Sequence, residues 1–194
     1  MIRIATSKDY KSIYEIYIPY IETTAVSFEL TSPSLSEYSE RIEETLNDFP
    51  WLVLDVNRQI AGFAYASRHR KREAYQWSAE VSVYIDRAYH RRHAASALYT
   101  SLSGLLEIMG IRMLLAGITL PNEASVRFHE SQDFKPIGIY ENIGFKFGKW
   151  HAVGWWQKPI GNHNEIPQTP IKFSQISTTK KVITILDAGY QQFI

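Results

Sequence analysis

The sequence predicts a mixed α/β domain, and three observations carry that prediction. Strand-like and helix-like segments follow one another from residue 2 to about 159 in the order β-α-α-β-β-β-α-β-α-β-β. One strand candidate, WSAEVSVYI (77–85), alternates apolar and polar positions and is soon followed by an amphipathic helix over 94–109. Hydrophobic residues make up 45% of the 194 residues and aromatics 13%, enough for one core.

Each element has a local reason. IRIA (2–5) reads as a short strand; Thr6 or Ser7 can cap the helix after it, where Ile13, Ile16, Tyr17 and Tyr20 recur at helical spacing. In the second helix, 34–46, Ser34 can cap, and Leu35, Tyr38, Ile42 and Leu46 share a face. WLVLDV and QIAGFAYASR flank Asn57-Arg58, a tight-turn signal for a hairpin. A polar, basic connection, HRKREAYQ, leads into 77–85, where Trp77, Ala79, Val81, Val83 and Ile85 face one way and Ser78, Glu80, Ser82 and Tyr84 the other. In the helix 94–109, Leu98, Leu102, Leu105 and Met109 form the apolar stripe and Gly110 the stop. IRMLLAGI (111–118) reads as a buried strand, a short helix lies between Asn122 and Asp133, and two aromatic strands around a glycine-containing turn end near Pro159. Beyond it, GNHNEIPQTP reads as a linker and KKVITILDAGYQQFI as a small apolar element.

Composition narrows the function class. Lys and Arg number 21 against 20 Asp and Glu, a balance unlike that of a generic nucleic-acid binder. With no cysteine there is no disulfide, no thiolate metal site and no cysteine nucleophile. The first ten residues lack the apolar core of a secretory signal, and no apolar run nears the ~18 residues of a membrane span. The expectation is a soluble cytoplasmic protein.

Several strings then carry a resemblance: YIETTAVSF (20–28), PWLVLDV (50–56), AGFAYA (61–66), REAYQWSAEVSVYI (72–85), LYTSL (98–102), GITLPNEASVRFHE (117–130) and GFKFGKWHAVGWWQ (144–157). In this order they resemble the phosphinothricin N-acetyltransferase family of the Gcn5-related N-acetyltransferase (GNAT) superfamily. The resemblance implies the GNAT acyl-CoA N-acyltransferase fold, a twisted, mostly antiparallel central sheet flanked by helices, with two central strands splayed to admit a pantetheine arm. It covers residues 1–159, leaving 160–194 as a C-terminal extension. It further implies acetyl-CoA as co-substrate, no metal, a homodimer, and direct acetyl transfer to the α-amine of a small amino acid or analogue such as phosphinothricin, methionine sulfone or methionine sulfoximine.

The same resemblance assigns residues. Glu80 falls at the family's general base; an α-ammonium must lose a proton before its nitrogen attacks a thioester, and a carboxylate can take it. The backbone of Ser82, Val83 and Tyr84 falls at the edge that holds the pantetheine amides, with an N–H near Val83 as oxyanion donor. Asn122 starts the following helix, and His129 stands where a proton donor for the leaving thiolate is expected. Arg72 and Tyr75 match acceptor-site positions, the guanidinium suiting a carboxylate or phosphinate. Phe28, Trp77, Lys146 and Phe147 are expected as pocket walls, Lys146 toward an anionic end.

The pyrophosphate loop departs from the pattern. Where the superfamily has Gln or Arg, two variable residues, Gly, a variable residue and Gly or Ala, this chain has His90, Arg91, Arg92, His93, Ala94 and Ala95. A side chain at 93 strains the turn by roughly 1–3 kcal/mol if φ must be positive, while the arginines and histidines add positive charge where a diphosphate lies. This leaves a rival expectation, a GNAT-fold binding or regulatory protein with weakened turnover. A third, nucleic-acid contact through RHRKR and HRRH, is opposed by the near-neutral total.

Overall fold

In the computed structural model, which describes residues 1–193, twelve regular elements build one seven-stranded sheet with helices on both faces. Ile194, the last residue of the expected extension, lies outside the described residues. The strands are β1 (Ile2–Ile4), β2 (Trp51–Val56), β3 (Gln59–Arg68), β4 (Ser78–Ile85), β5 (Met113–Leu120), β6 (Lys135–Lys146) and β7 (Lys149–Pro159). The helices are α1 (Tyr10–Glu22), α2 (Leu35–Asp48), α3 (Ala94–Met109), α4 (Glu123–Ser131) and α5 (Lys180–Tyr190). The sheet order is β1-β2-β3-β4-β5-β7-β6, and every neighbouring pair is antiparallel except β4 and β5.

Strand alternation divides the interior in two. On β2, Leu52 and Leu54 face one core with the α3 stripe Leu98, Leu102 and Leu105, while Trp51 and Val53 face another with Ile13 and Tyr17 of α1 and Tyr38 and Ile42 of α2. The sheet is therefore apolar on both faces at its centre, which explains the near-continuous hydrophobic reading of WLVLDV.

Most element boundaries follow the local signals. Ser34 caps α2 in a reciprocal capping box with Glu37. Asn57 and Arg58 both have positive φ, 52° and 68°, the conformation a two-residue hairpin turn demands. Gly110 ends α3 at φ 96°. Two boundaries move. Helix α1 starts after Asp9 rather than being capped by Thr6 or Ser7: the Asp9 carboxylate accepts from Thr6 N and Thr6 Oγ1, each at 2.8 Å, and pairs with Arg3 at 2.6 Å. Strand β5 begins at Met113, because the amides of Arg112 and Met113 both donate to Trp77 O and hold that segment as a turn.

The segment after Pro159 folds back on its own chain. Phe173, Val182 and Leu186 are buried in the α3 core, and α5 approaches α3 closely, with Gly189 against Ser101 and Ala97 O. A side chain at 189 has no room there.

Candidate active site

The parallel pairing of β4 and β5 is brief. It links Ser78, Ala79 and Glu80 to Met113, Leu114 and Leu115, and stops. Beyond it β5 continues paired with β7, and β4 from Val81 to Ile85 is paired only with β3. Among the described residues the β5-facing backbone groups of Val81–Ile85 thus have no strand partner; Ile85 O accepts from Tyr20 OH at 2.8 Å, and the others call for a ligand or water. Glu80 sits at the last paired position, where the slot opens.

The slot leads into a cleft of about 600 Å³ whose walls include Val83, Ile85, His90, Arg91, His93 and Asn122. Asp86 starts the loop by accepting from Ala88 N at 2.8 Å, and a single 3-10 turn follows over Arg87–Tyr89. His90 folds back, its Nε2 lying 3.1 Å from Ile85 O. Arg91 and His93 then take φ of 60° and 57°. The turn keeps the left-handed conformation that glycine usually supplies, with exposed side chains that point out of the core. His93 places no side-chain cap on α3, so the first-turn amides around Ala94 and Ala95 face the cleft at the positive end of a 16-residue helix. A diphosphate fits this place: unpaired amides, the positive end of a helix dipole and Arg91 line the same cleft. Arg92 differs from expectation. Its guanidinium lies over the Tyr89 ring, 5.8 Å from the centroid, and it supports the loop from outside the cleft.

Two measurable consequences follow. Arg91→Ala weakens acetyl-CoA binding about tenfold and flattens its salt dependence, read by calorimetric titration at two ionic strengths. His93→Gly removes a left-handed side-chain residue, adds roughly 1 kcal/mol of stability, and preserves affinity.

At the closed end of the slot, the Glu80 side chain is 36% exposed and Oε1 lies 2.8 Å from His69 Nδ1. Tyr75 flanks the His69 ring at 5.8 Å, and the Arg72 side chain is exposed just before the short 3-10 turn Glu73–Tyr75. A second cavity, about 640 Å³, shares Val26 and Asn122 with the cleft and is walled by Thr23–Val26, the end of β5, Phe147, Lys149 and His151. Asn122 caps α4 by accepting from Ser125 N at 3.2 Å. Phe28 is adjacent, its ring against Gly144 and 6.1 Å from the His151 ring.

Three expected roles change. His129 is buried between α3 and α4: Nδ1 donates to Ser125 O at 2.8 Å, and Nε2 accepts from Tyr99 OH at 3.0 Å. Burial pushes its pKa down and favours the neutral ring, so it carries no free proton toward the cleft. Lys146 is also buried; its ammonium donates to Ile21 O at 2.7 Å and Ser27 O at 2.8 Å, tying the loop after α1 to the β6–β7 hairpin. Burial lowers its pKa, and both bonds occupy the charge expected to meet a substrate. Trp77 lies an odd number of residues from Glu80 and so on the opposite sheet face, where its indole N–H donates to Gln168 O at 2.8 Å. Sequence reasoning assigned no role to His69 or to Thr23–Val26. The first sat in a run of cations that read as solvated charge; the second has no chemical signature beyond being a short polar loop.

The family model for the acetyltransferase (GNAT) domain matches residues 2–155, so the chain belongs to the GNAT acetyltransferase family. It is an N-acetyltransferase that uses acetyl-CoA. Among its relatives, the phosphinothricin N-acetyltransferase of Streptomyces viridochromogenes is 37% identical over 87% of this chain and 90% of its own length. The L-methionine sulfoximine/L-methionine sulfone acetyltransferase of Salmonella typhimurium is 27% identical over 84% and 95%. A crystal structure of the GNAT phosphinothricin acetyltransferase from Sinorhizobium meliloti, in complex with acetyl-CoA, superposes with a TM-score of 0.83 at 30% identity, over 87% of this chain and 92% of that one.

Proposed function

We propose that the acceptor is the α-amine of a small amino acid or analogue whose side chain ends in a tetrahedral oxygenated group, of the phosphinothricin, methionine sulfone or methionine sulfoximine type. The observation that carries this reading is Glu80, half exposed at the point where β4 and β5 part, with Arg72 on the connection leading into β4. Acetyl-CoA supplies the acyl group as an activated thioester. Glu80 takes one proton from the acceptor's ammonium; the freed nitrogen lone pair attacks the thioester carbonyl, the C–S bond breaks, and CoA leaves as a thiolate that takes up the proton given off by the new amide nitrogen. An N–H of the unpaired β4 edge near Val83 holds the thioester oxygen. The α3 amides and Arg91 hold the diphosphate, and Arg72 with Tyr75 holds the anionic end of the acceptor. A panel of amino acids assayed for acetyl transfer tests the acceptor class: methionine sulfone, methionine sulfoximine and phosphinothricin react fastest, and a preference for amines lacking a carboxylate contradicts the reading.

In the same reading residues 1–159 form the catalytic domain and 160–194 an extension that braces α3. The protein acts as a homodimer joined along β6, an edge strand on which Ile137, Ile139, Ile143 and Phe145 are each more than half exposed. Light scattering gives a mass near twice 22.4 kDa for the wild type and near 22.4 kDa for the double substitution Ile139→Lys, Ile143→Lys. No helix among the described residues is long and apolar enough to cross a membrane.

A further inference from the structure

We propose that His69 is a positioning residue for the acetyl transfer, holding one oxygen of Glu80 so that the other receives the acceptor's proton. This rests on the reading of Glu80 as base. The backbone sets up the pair: Ser67 is opposite Glu80 and Arg68 opposite Ala79 at the end of β3, so His69 is the first residue to leave the sheet beside the carboxylate. Its ring then turns back over β4, and Nδ1 reaches Oε1 at 2.8 Å. A carboxylate oxygen at that distance accepts, which places a proton on Nδ1 whatever the state of Nε2.

The surroundings fix the ring. Tyr75 meets it edge-on at 5.8 Å and Trp155 edge-on at 5.9 Å, from a different element. The imidazole is the inner partner, 14% exposed against 36% for Glu80. With Oε1 bonded to the ring, Oε2 is the carboxylate oxygen left for the acceptor. A glutamate has three side-chain torsions, and one left free at a half-open site spreads its oxygens over several positions. Misplacement of a reacting group by about 1 Å costs on the order of 100-fold. One charge-assisted bond to a ring held on two sides removes much of that freedom.

Two substitutions separate positioning from packing. His69→Phe keeps a ring between Tyr75 and Trp155 and removes the N–H; His69→Asn gives up the ring and keeps a donor near the Nδ1 position. With acetyl-CoA and methionine sulfone, His69→Phe lowers kcat roughly 10- to 100-fold and leaves both KM values nearly unchanged, while His69→Asn stays near wild type. In a Glu80→Gln background, His69→Phe causes no further loss. Full kcat in His69→Phe, or an active Phe variant beside a crippled Asn variant, overturns the assignment. So does a His69→Phe loss that multiplies unchanged onto Glu80→Gln, since His69 then acts independently of Glu80. Wild-type rates in Glu80→Gln alone overturn the base reading itself, and with it the role of His69. Loss in Glu80→Gln without loss in His69→Phe overturns only the role of His69. Thermal midpoints and the heat of acetyl-CoA binding, unchanged across the set, identify each loss as catalytic.

Discussion

Glu80→Gln lowers kcat by about 10²–10⁴-fold, the range of a general base, and leaves acetyl-CoA affinity as it is in the wild type. The substitution conserves size and removes only the ability to take a proton. Affinity is spared because the groups proposed to hold the cofactor are elsewhere: the unpaired edge of β4 after Val81, the first-turn amides of α3, and Arg91. Steady-state rates with saturating methionine sulfone give the first quantity, and calorimetric titration the second. Because an acceptor ammonium loses its proton more readily as pH rises, the Gln variant recovers part of its activity in alkaline buffer. A variant with wild-type rates at neutral pH removes Glu80 from the mechanism.

Cutting the chain after Pro159 abolishes cooperative folding, although the removed part lies outside the family match at 2–155. The reason is burial. Phe173 is 1% exposed, Val182 0% and Leu186 7%, all in the core that contains the α3 leucines. At about 1.5–3 kcal/mol for each buried side chain, their loss approaches the ~5–15 kcal/mol that holds a domain folded. It also uncovers the back of the helix whose N-terminus faces the cofactor cleft. A milder form, Phe173→Ala, costs about 3–5 kcal/mol and lowers Tm by roughly 10 °C, measured by calorimetry or circular dichroism. A shortened chain with the full-length Tm would show that α5 only rests on a domain already complete.

Local rules account for much of what the sequence made legible. Helix α3 was readable to the residue because its leucine stripe and Gly110 act within one element. The Asn57-Arg58 turn and the Ser34 cap are equally local. In the loop between β4 and α3, His93 is left-handed at the position where strain was anticipated, while the left-handed Arg91 was not foreseen. Asp133, just past α4, is another side-chain residue in the left-handed region, at φ 65°.

What stayed hidden depends on which distant groups meet. Lys146 looked like a free cation until the carbonyls of Ile21 and Ser27, more than a hundred residues earlier, took its protons. His129 looked like an acid until Tyr99 and Ser125 O occupied its ring nitrogens. Trp77 follows the strand parity, which puts it on the face opposite Glu80 and away from the pocket wall the resemblance assigned it. His69 was concealed by its neighbours Arg68, Arg70 and Lys71, because a run of cations reads as solvent-facing charge. Only the β3–β4 register turns that one ring inward.

The central claim is direct transfer of the acetyl group to the acceptor amine inside the slot between β4 and β5. Single-turnover transfer from acetyl-CoA labelled in the acetyl group tests it most directly. The account predicts label on the α-nitrogen of methionine sulfone, one equivalent of free thiol released, and no label on the protein at any time. Label held covalently by the protein before it reaches the acceptor, or thiol released without acetylated amine, would contradict it.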